Sequence, residues 1–362
     1  MNAVQRLCPR EPLHSSMAGA PLLTVDPNNP DPVVVEHAAA LLRRGKLVAF
    51  PTETVYGLGA NALDPDAVVA VYTAKGRPAW NPVIAHVPDV AAARALTRHW
   101  PPAADRLAAA FWPGPLTLVL PKAAHVPDVA TAGLDAVAVR IPAHPVALAL
   151  LRAAGVPIAA PSANRFTQVS PTNAQHVHAS LGDRVELILD GGPSSVGIES
   201  TVVDLTGRDA VILRPGMITA ADLERALGGS SVAVRTATAA VSHDAPPATT
   251  SAQRSPGMAD RHYAPRADVW LFDPGQQPEI AAALAQRGNG AGTVTALLRT
   301  TTLALPDRAL VRMPDDPASY ARALYAALHT ADAAGASLIV IERPPADDRW
   351  AGLRDRLTRA AR

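Results

Sequence analysis

The residue types able to do chemistry in this chain gather in five short polar islands. They are Pro51-Thr52-Glu53-Thr54-Val55-Tyr56-Gly57-Leu58-Gly59, Lys75-Gly76-Arg77-Pro78, Pro161-Ser162-Ala163-Asn164, Ser194 to Thr201, and Leu213-Arg214-Pro215-Gly216. Each is set among apolar runs such as Leu47-Val48-Ala49-Phe50, Pro157-Ile158-Ala159-Ala160 or Ala210-Val211-Ile212-Leu213, where a buried strand would surface. Strand ends are where α/β folds assemble sites. Glycines that let backbone approach closely, with Lys75, Arg77 and Arg214 as cations, suit an anion that also offers hydroxyl or amide partners.

Each candidate also has a plainer reading. Lys75 and Arg77 could simply complement a helix C-terminus. Ser162 and Asn164 fit ordinary turn chemistry, and His86, at the end of an apolar run, fits a satisfied, partly buried imidazole. Arg140 is different: it lies inside Ala-Val-Ala-Val-Arg-Ile-Pro, where a charge must find an anionic partner or bear a large desolvation cost. The stretch Gly191 to Thr201 is dense in backbone donors and hydroxyls, which suits a phosphate or carboxylate.

Several familiar chemistries lack their signatures. No Gly-x4-Gly-Lys-Ser/Thr occurs, and Gly57-Leu58-Gly59 is not completed to Gly-x-Gly-x-x-Gly, which argues against P-loop and dinucleotide-binding sites. A Ser-His-Asp hydrolase could draw on Ser162, Ser200, His86 and Asp190, but Ser162 has no Gly-x-Ser-x-Gly elbow. A built-in metal site is not expected. There is no His-Glu-x-x-His or Cys-x-x-Cys, and His176 and His178, two apart on an expected helix, point to different faces.

Those islands need a scaffold, and 362 residues that are 48% hydrophobic and 18% charged can bury one large core or two ordinary ones. With 33 basic and 32 acidic residues the net charge is +1, too little to hold nucleic acid by a global field. The single cysteine, Cys8, excludes a disulfide framework and suits a reducing, cytoplasmic setting. No apolar run approaches the ~18 residues of a membrane span. Residues 1–20 have no apolar signal region and read as a disordered extension, with Met17 as an alternative start to Met1.

Asp31-Pro32 and Asp64-Pro65 each announce a helix, the first stopping at Gly45 and the second delivering Lys75 and Arg77 at its far end. Strands are expected at 46–50, 83–87, 116–120, 136–141, 156–160, 185–190, 201–205 and 210–213. Helices are expected near 90–98, 102–111, 145–154, 172–181 and 219–227. The pattern dissolves over 228–265, including Ala245-Pro246-Pro247-Ala248, and reads as a linker. It resumes over 266–362 with strands at 268–272, 293–298, 309–313 and 337–342 and helices at 277–287, 318–334 and 349–360. The expectation is a catalytic domain over 21–227 with a mixed sheet, then a smaller α/β domain of structural or regulatory role.

Taken together, Pro51 to Ala62, Lys75-Gly-Arg-Pro78 with Asn81-Pro82, Trp112-Pro-Gly-Pro-Leu-Thr117, Pro161 to Asn164, Gly191 to Thr201 and Leu213 to Gly216 resemble the YrdC/Sua5 family. Ser255-Pro-Gly-Met258 and Arg261-His-Tyr-Ala-Pro265 are similar to the segment that marks its two-domain Sua5 form. The resemblance covers residues 22 to 265 by motif and the remainder by position and pattern. It implies a YrdC-like twisted mixed sheet with flanking helices and a concave pocket, followed by a Rossmann-like α/β domain.

The implied activity is nucleotidyl transfer: L-threonine, bicarbonate and ATP, the last with Mg²⁺, give threonylcarbamoyl-AMP and pyrophosphate. That product serves the threonylcarbamoyl modification of adenosine in tRNA, through a downstream transfer machinery. Carried over by matching position, Thr54, His86, Arg140, Ala160 and Ser200 would contact threonine. Arg77, Asn81, Ala136, Ser162, Asn164, Ser170, Arg214 and Tyr263 would contact ATP, and Lys75, Arg77 and Arg140 would supply the catalytic charge. The linker, through Tyr263, would act as a lid. Ala259-Asp260 departs from the basic and aromatic pair common in the family.

Two alternatives belong to other classes. The hydrogenase-maturation relatives share the pocket, but their zinc-finger modules need cysteines that this chain lacks. Double-stranded RNA binding would want basic stripes interleaved with aromatics, and only 4% of residues are aromatic. Direct nucleic-acid binding is therefore expected to be weak or absent.

Overall fold

A computed structural model describes residues 20–228, 233–236, 262–286, 293–303 and 309–362. The expected N-terminal extension and most of the linker, including Ala245 to Ser251, Ala259-Asp260 and Arg261, lie outside the described residues. Strands β1 (Leu22–Thr24), β2 (Val48–Phe50), β3 (Gly57–Asn61), β4 (Ile84–His86), β5 (Leu116–Pro121) and β6 (Ala136–Arg140) belong to one sheet with β7 (Ile158–Ala159), β8 (Leu187–Asp190), β9 (Thr201–Asp204), β10 (Ala210–Arg214) and β11 (Val234–Thr236). Their spatial order is β1-β8-β2-β3-β7-β4-β6-β5-β9-β10-β11. The sheet is mixed: β4 and β6 run parallel, while β2–β3, β4–β7 and β5–β6 are antiparallel.

The helices are α1 (Pro32–Arg43), α2 (Pro65–Lys75), α3 (Val90–Ala95), α4 (Pro102–Phe111), α5 (Asp128–Thr131), α6 (Pro145–Ala154), α7 (Ala174–Leu181) and α8 (Ala220–Leu227). The start signals work as their chemistry requires. Asp31 accepts from the Val33 amide, and Asp64 accepts from those of Asp66 and Ala67, each ahead of a proline in the first turn. The second helix ends at Gly76, whose φ of +63° is the left-handed conformation that glycine adopts without penalty.

Two segments differ from expectation. Gly57-Leu58-Gly59, read as part of a loop, is the start of β3. Its glycines are there for close packing, since a Cβ on Gly59 would lie 2.9 Å from the Phe50 ring and 3.1 Å from the Val48 carbonyl. The first sheet also continues beyond residue 227, because β11 pairs in parallel with β10 from within the stretch read as linker.

The C-terminal part carries β12 (Asp268–Phe272), β13 (Thr293–Leu298), β14 (Ala309–Arg312) and β15 (Ala336–Glu342), with α9 (Gln277–Gln286), α10 (Pro317–Ala333) and α11 (Ala351–Ala360). Its four strands, ordered β12-β15-β13-β14, are all parallel, which is the doubly wound arrangement expected when strands alternate with helices. The two parts share a core. Val55, Val169, Ile198 and Tyr263 pack in one cluster with Tyr320, Leu324, Tyr325, Leu353 and Leu357. Apolar surface buried across this junction is worth roughly 25 cal/mol per Å², which favours a fixed arrangement over tethered independence. Among the described residues no helix is long and apolar enough to cross a membrane.

Candidate functional site

The islands converge on one cavity that is partly open to solvent. Its wall includes Thr52, Thr54 and Gly57 from the first island and Arg77 from the second. Ala160 and Ser162 come from the third, Glu199 from the fourth and Arg214 from the fifth, with His86, Arg140, His262 and Tyr263 completing it. The register brings them together: His86 on β4 lies directly opposite Arg140 on β6, and β7 lies on the other side of β4.

The first island is a side-chain-stabilised turn. The Thr52 hydroxyl donates to the Val55 carbonyl at 2.6 Å and accepts from the Thr54 and Val55 amides at 3.2 and 3.3 Å. That turn presents two partners to Arg140, whose Nη1 donates to Thr54 Oγ1 at 2.9 Å and whose Nη2 donates to Glu53 Oε1 at 2.7 Å. Both charges of the pair are almost wholly buried, with side-chain exposures of 4% and 7%. Glu53 is the anionic partner demanded by the strand context of Arg140. Sequence reading left it unassigned, although it stands in the first island.

Arg77 is held differently. Its Nε donates to the Asn81 carbonyl, and its Nη2 donates to Asn81 Oδ1 at 2.6 Å and to the Pro82 carbonyl at 2.8 Å. Neutral acceptors orient it without cancelling its charge. Arg214 donates from Nε to the Ser200 carbonyl and from Nη2 to Ser200 Oγ, both at 3.1 Å, and that hydroxyl also meets Thr117 Oγ1 at 2.8 Å. Glu199 is the one carboxylate among the lining residues. Burial by itself would raise its pKa; Arg356, then Arg214 and Ser170, override that and hold it at about 2.

Several expected residues stand behind the wall. Lys75 is buried and its ammonium donates to the carbonyls of Ser162 and Asn164, so it fixes the third island and is not on the cavity surface. Its burial, reinforced by Arg77, pushes its pKa well below the usual lysine value. Asn164 ties the same loop through its amide to the carbonyls of Arg165 and Gln168. Asn81, Ser170 and Ser200 act through Arg77, Glu199 and Arg214 respectively. Ala136 does not line the cavity: it starts β6, four residues and so ~13 Å along the strand from Arg140.

His86 faces the Ile84 carbonyl with Nδ1 at 3.3 Å, and burial, with Arg140 adding to it, pushes its pKa down to about 3. Its surroundings therefore favour the neutral imidazole. It hydrogen-bonds no serine, and Asp190 serves the Tyr56 hydroxyl and the Gly192 amide, so the residues of a hydrolase triad are not assembled. His262 and Tyr263 cover the cavity from the C-terminal side; burial lowers the first to about 3 and raises the second. Two residues on the cavity wall carry buried polar atoms without a partner, His262 at Nδ1 and Tyr263 at its hydroxyl. Such atoms are costly in a finished core and are the groups that a polar ligand can satisfy. Among the described residues no group of three or more His, Cys, Asp or Glu side chains is placed to hold a metal ion.

Fold and cavity together define an α/β protein with a preorganised, cationic pocket for a polar anionic ligand. The family described as telomere recombination, with Sua5, YciO and YrdC as its namesakes, matches residues 40–216, and the C-terminal domain of threonylcarbamoyl-AMP synthase matches residues 218–362. The threonylcarbamoyl-AMP synthase of Pyrococcus abyssi is 49% identical over 236 residues, which are 65% of this chain and 67% of that one. That of Bacillus subtilis is 44% identical over 73% of this chain and 74% of its own. The crystal structure of P. abyssi Sua5 complexed with L-threonine superposes with a TM-score of 0.84 at 39% identity, covering 94% of this chain and 97% of that one. The chain belongs to the Sua5/YrdC family, in its two-domain form.

Proposed function

We propose that this cavity joins L-threonine, bicarbonate and ATP. The chain is a threonylcarbamoyl-AMP synthase, a nucleotidyltransferase whose product feeds the threonylcarbamoyl modification of adenosine in tRNA. The observation that carries the mechanism is the trio of buried guanidiniums, Arg77, Arg140 and Arg214, on a wall with a single carboxylate. Arg140 is balanced by Glu53, but Arg77 is held by neutral acceptors, and a buried cation so held calls for an anionic guest; a triphosphate supplies one.

The chemistry asks for no protein nucleophile. The threonine amine adds to bicarbonate with loss of water to give a carbamate, whose carboxylate oxygen attacks the α-phosphorus as the bond to pyrophosphate breaks. Catalysis then comes from alignment and from fixed charge facing the phosphoryl oxygens. Thr54, His86, Arg140 and Ala160, all on the cavity wall, would receive threonine, the neutral imidazole accepting or donating without adding charge. Arg77, Ser162, Arg214 and Tyr263 are placed to receive ATP. Lys75 contributes by fixing the loop that carries Ser162. Mg²⁺ would enter with ATP as part of the substrate complex. A single cysteine in 362 residues is consistent with work in a reducing, cytoplasmic compartment, and we infer that the product passes to a separate tRNA-modifying partner.

The test is pyrophosphate release from purified protein with MgATP, omitting threonine and bicarbonate in turn, with mass detection of the adenylate. Release is expected only when both are present. Equal release without threonine overturns the reading.

A further inference from the structure

We infer that Arg356, supplied by α11 of the C-terminal domain, is a positioning residue for ATP that holds the Glu199–Ser200 loop, the Arg214–Gly216 turn and Tyr263 in one arrangement. This rests on the reading of the cavity as the ATP site. Arg356 does not line the cavity, yet its side chain is only 1% exposed and it bonds to three parts of the wall. Nε donates to Glu199 Oε2 at 2.8 Å, Nη1 donates to the Pro215 carbonyl at 2.9 Å, and the guanidinium lies 5.0 Å from the centre of the Tyr263 ring.

Each contact leads to a lining group. Glu199 is saturated, with Ser170 on Oε1 at 2.6 Å and the Tyr325 hydroxyl joining Arg356 on Oε2 at 3.0 Å, so its carboxylate has one orientation. The next residue, Ser200, aligns Arg214 through its carbonyl and its hydroxyl. The Pro215 carbonyl fixes the backbone immediately beyond Arg214. The Tyr263 ring also packs against that of Tyr325, whose centre is 6.1 Å away, while the preceding His262 amide donates to the Arg359 carbonyl. Close packing reinforces the arrangement: a Cβ on Gly352 of α11 would lie 2.8 Å from the Gly216 carbonyl oxygen. A planar fork with five donors can serve these partners at once, and an ammonium cannot. The C-terminal domain thus builds part of the catalytic wall from behind.

The experiment compares the full-length wild type with Arg356→Gln, Arg356→Lys and Tyr325→Phe, titrating ATP and threonine separately by calorimetry, with thermal unfolding as the control for folding. ATP affinity should fall about tenfold or more in both Arg356 variants, the scale of losing hydrogen bonds to a charged group. It should fall a few-fold in Tyr325→Phe. Threonine affinity, set chiefly at the Thr54, His86 and Arg140 end and reached by this arrangement only through Ser200, should fall clearly less than ATP affinity. A folded Arg356→Gln or Arg356→Lys that binds ATP within twofold of wild type overturns the proposal, as does an equal loss for both ligands, the mark of a purely structural role. If Arg356→Gln does not fold, Arg356→Lys and Tyr325→Phe decide by the same criteria. ATP titration is independent of the threonine chemistry, so failure of wild-type pyrophosphate release would overturn the reaction assignment without deciding Arg356. A wild type that binds no ATP overturns both.

Discussion

Removing the guanidinium of Arg140 separates stability from chemistry. Arg140 and Glu53 are a buried pair with exposures of 4% and 7%, and Arg140→Ala leaves the Glu53 carboxylate uncompensated, since its second oxygen has no partner to begin with. Breaking such a pair costs about 3–5 kcal/mol. For a cooperative unit of some 200 residues that corresponds to a fall in Tm of roughly 6–20 °C. Turnover at a temperature where the variant is still folded should fall ~100-fold or more, as for loss of one preorganised donor. Adding Glu53→Gln removes the stranded charge, so the double variant should regain at least about 1 kcal/mol while turnover stays low. Urea unfolding by circular dichroism reads the first quantity and pyrophosphate release the second. The reasoning fails if Arg140→Ala keeps both the wild-type Tm and the wild-type rate, or if the double variant is no more stable than the single one.

Further consequences are open to direct measurement. His86 and His262 each have a folded pKa of about 3, below the ordinary 6.5, so the unfolded chain binds more protons between those values. Stability should therefore be full above pH 6.5 and decline on acidification toward pH 3. The slope approaches ~1.4 kcal/mol per pH unit for each group, and urea titrations at pH 7 and 5 should show it reduced in His86→Gln. Gly197 has φ +89° and lies where a Cβ would approach the Ala321 carbonyl oxygen to 2.4 Å. Gly197→Ala should thus force the 194–201 loop off α10 and lower Tm by several degrees, measured by calorimetry, whereas Gly207→Ala, with nothing within 4 Å, should not. Lys75→Met should keep threonine binding but loosen the Ser162–Asn164 loop. The expected readout is weaker ATP binding with faster amide exchange at Ala163 and Asn164, and unchanged exchange there would count against the loop-fixing role.

Much of this protein is determined locally and is legible in the chain. Helices α4 and α6 and strand β12 have the bounds that periodicity and punctuation gave them, because proline in the first turn of each helix, the His144 cap of α6 and apolar spacing are properties of neighbouring residues. The polar islands were visible for the same reason, and the demand of Arg140 for an anion followed from its strand context. The identity of that anion did not. Glu53 lies 87 residues away, and only the order of β2, β3, β7, β4 and β6 across the sheet brings the two together. Lys75 reads in sequence either as a cation complementing a helix C-terminus or as catalytic charge, and packing turns it inward onto two loop carbonyls. Arg356 gave no local signal in an arginine-rich final helix. Its place against Glu199, 157 residues earlier, is decided by how the two sheets share a core, a long-range outcome of burial that no window of sequence contains.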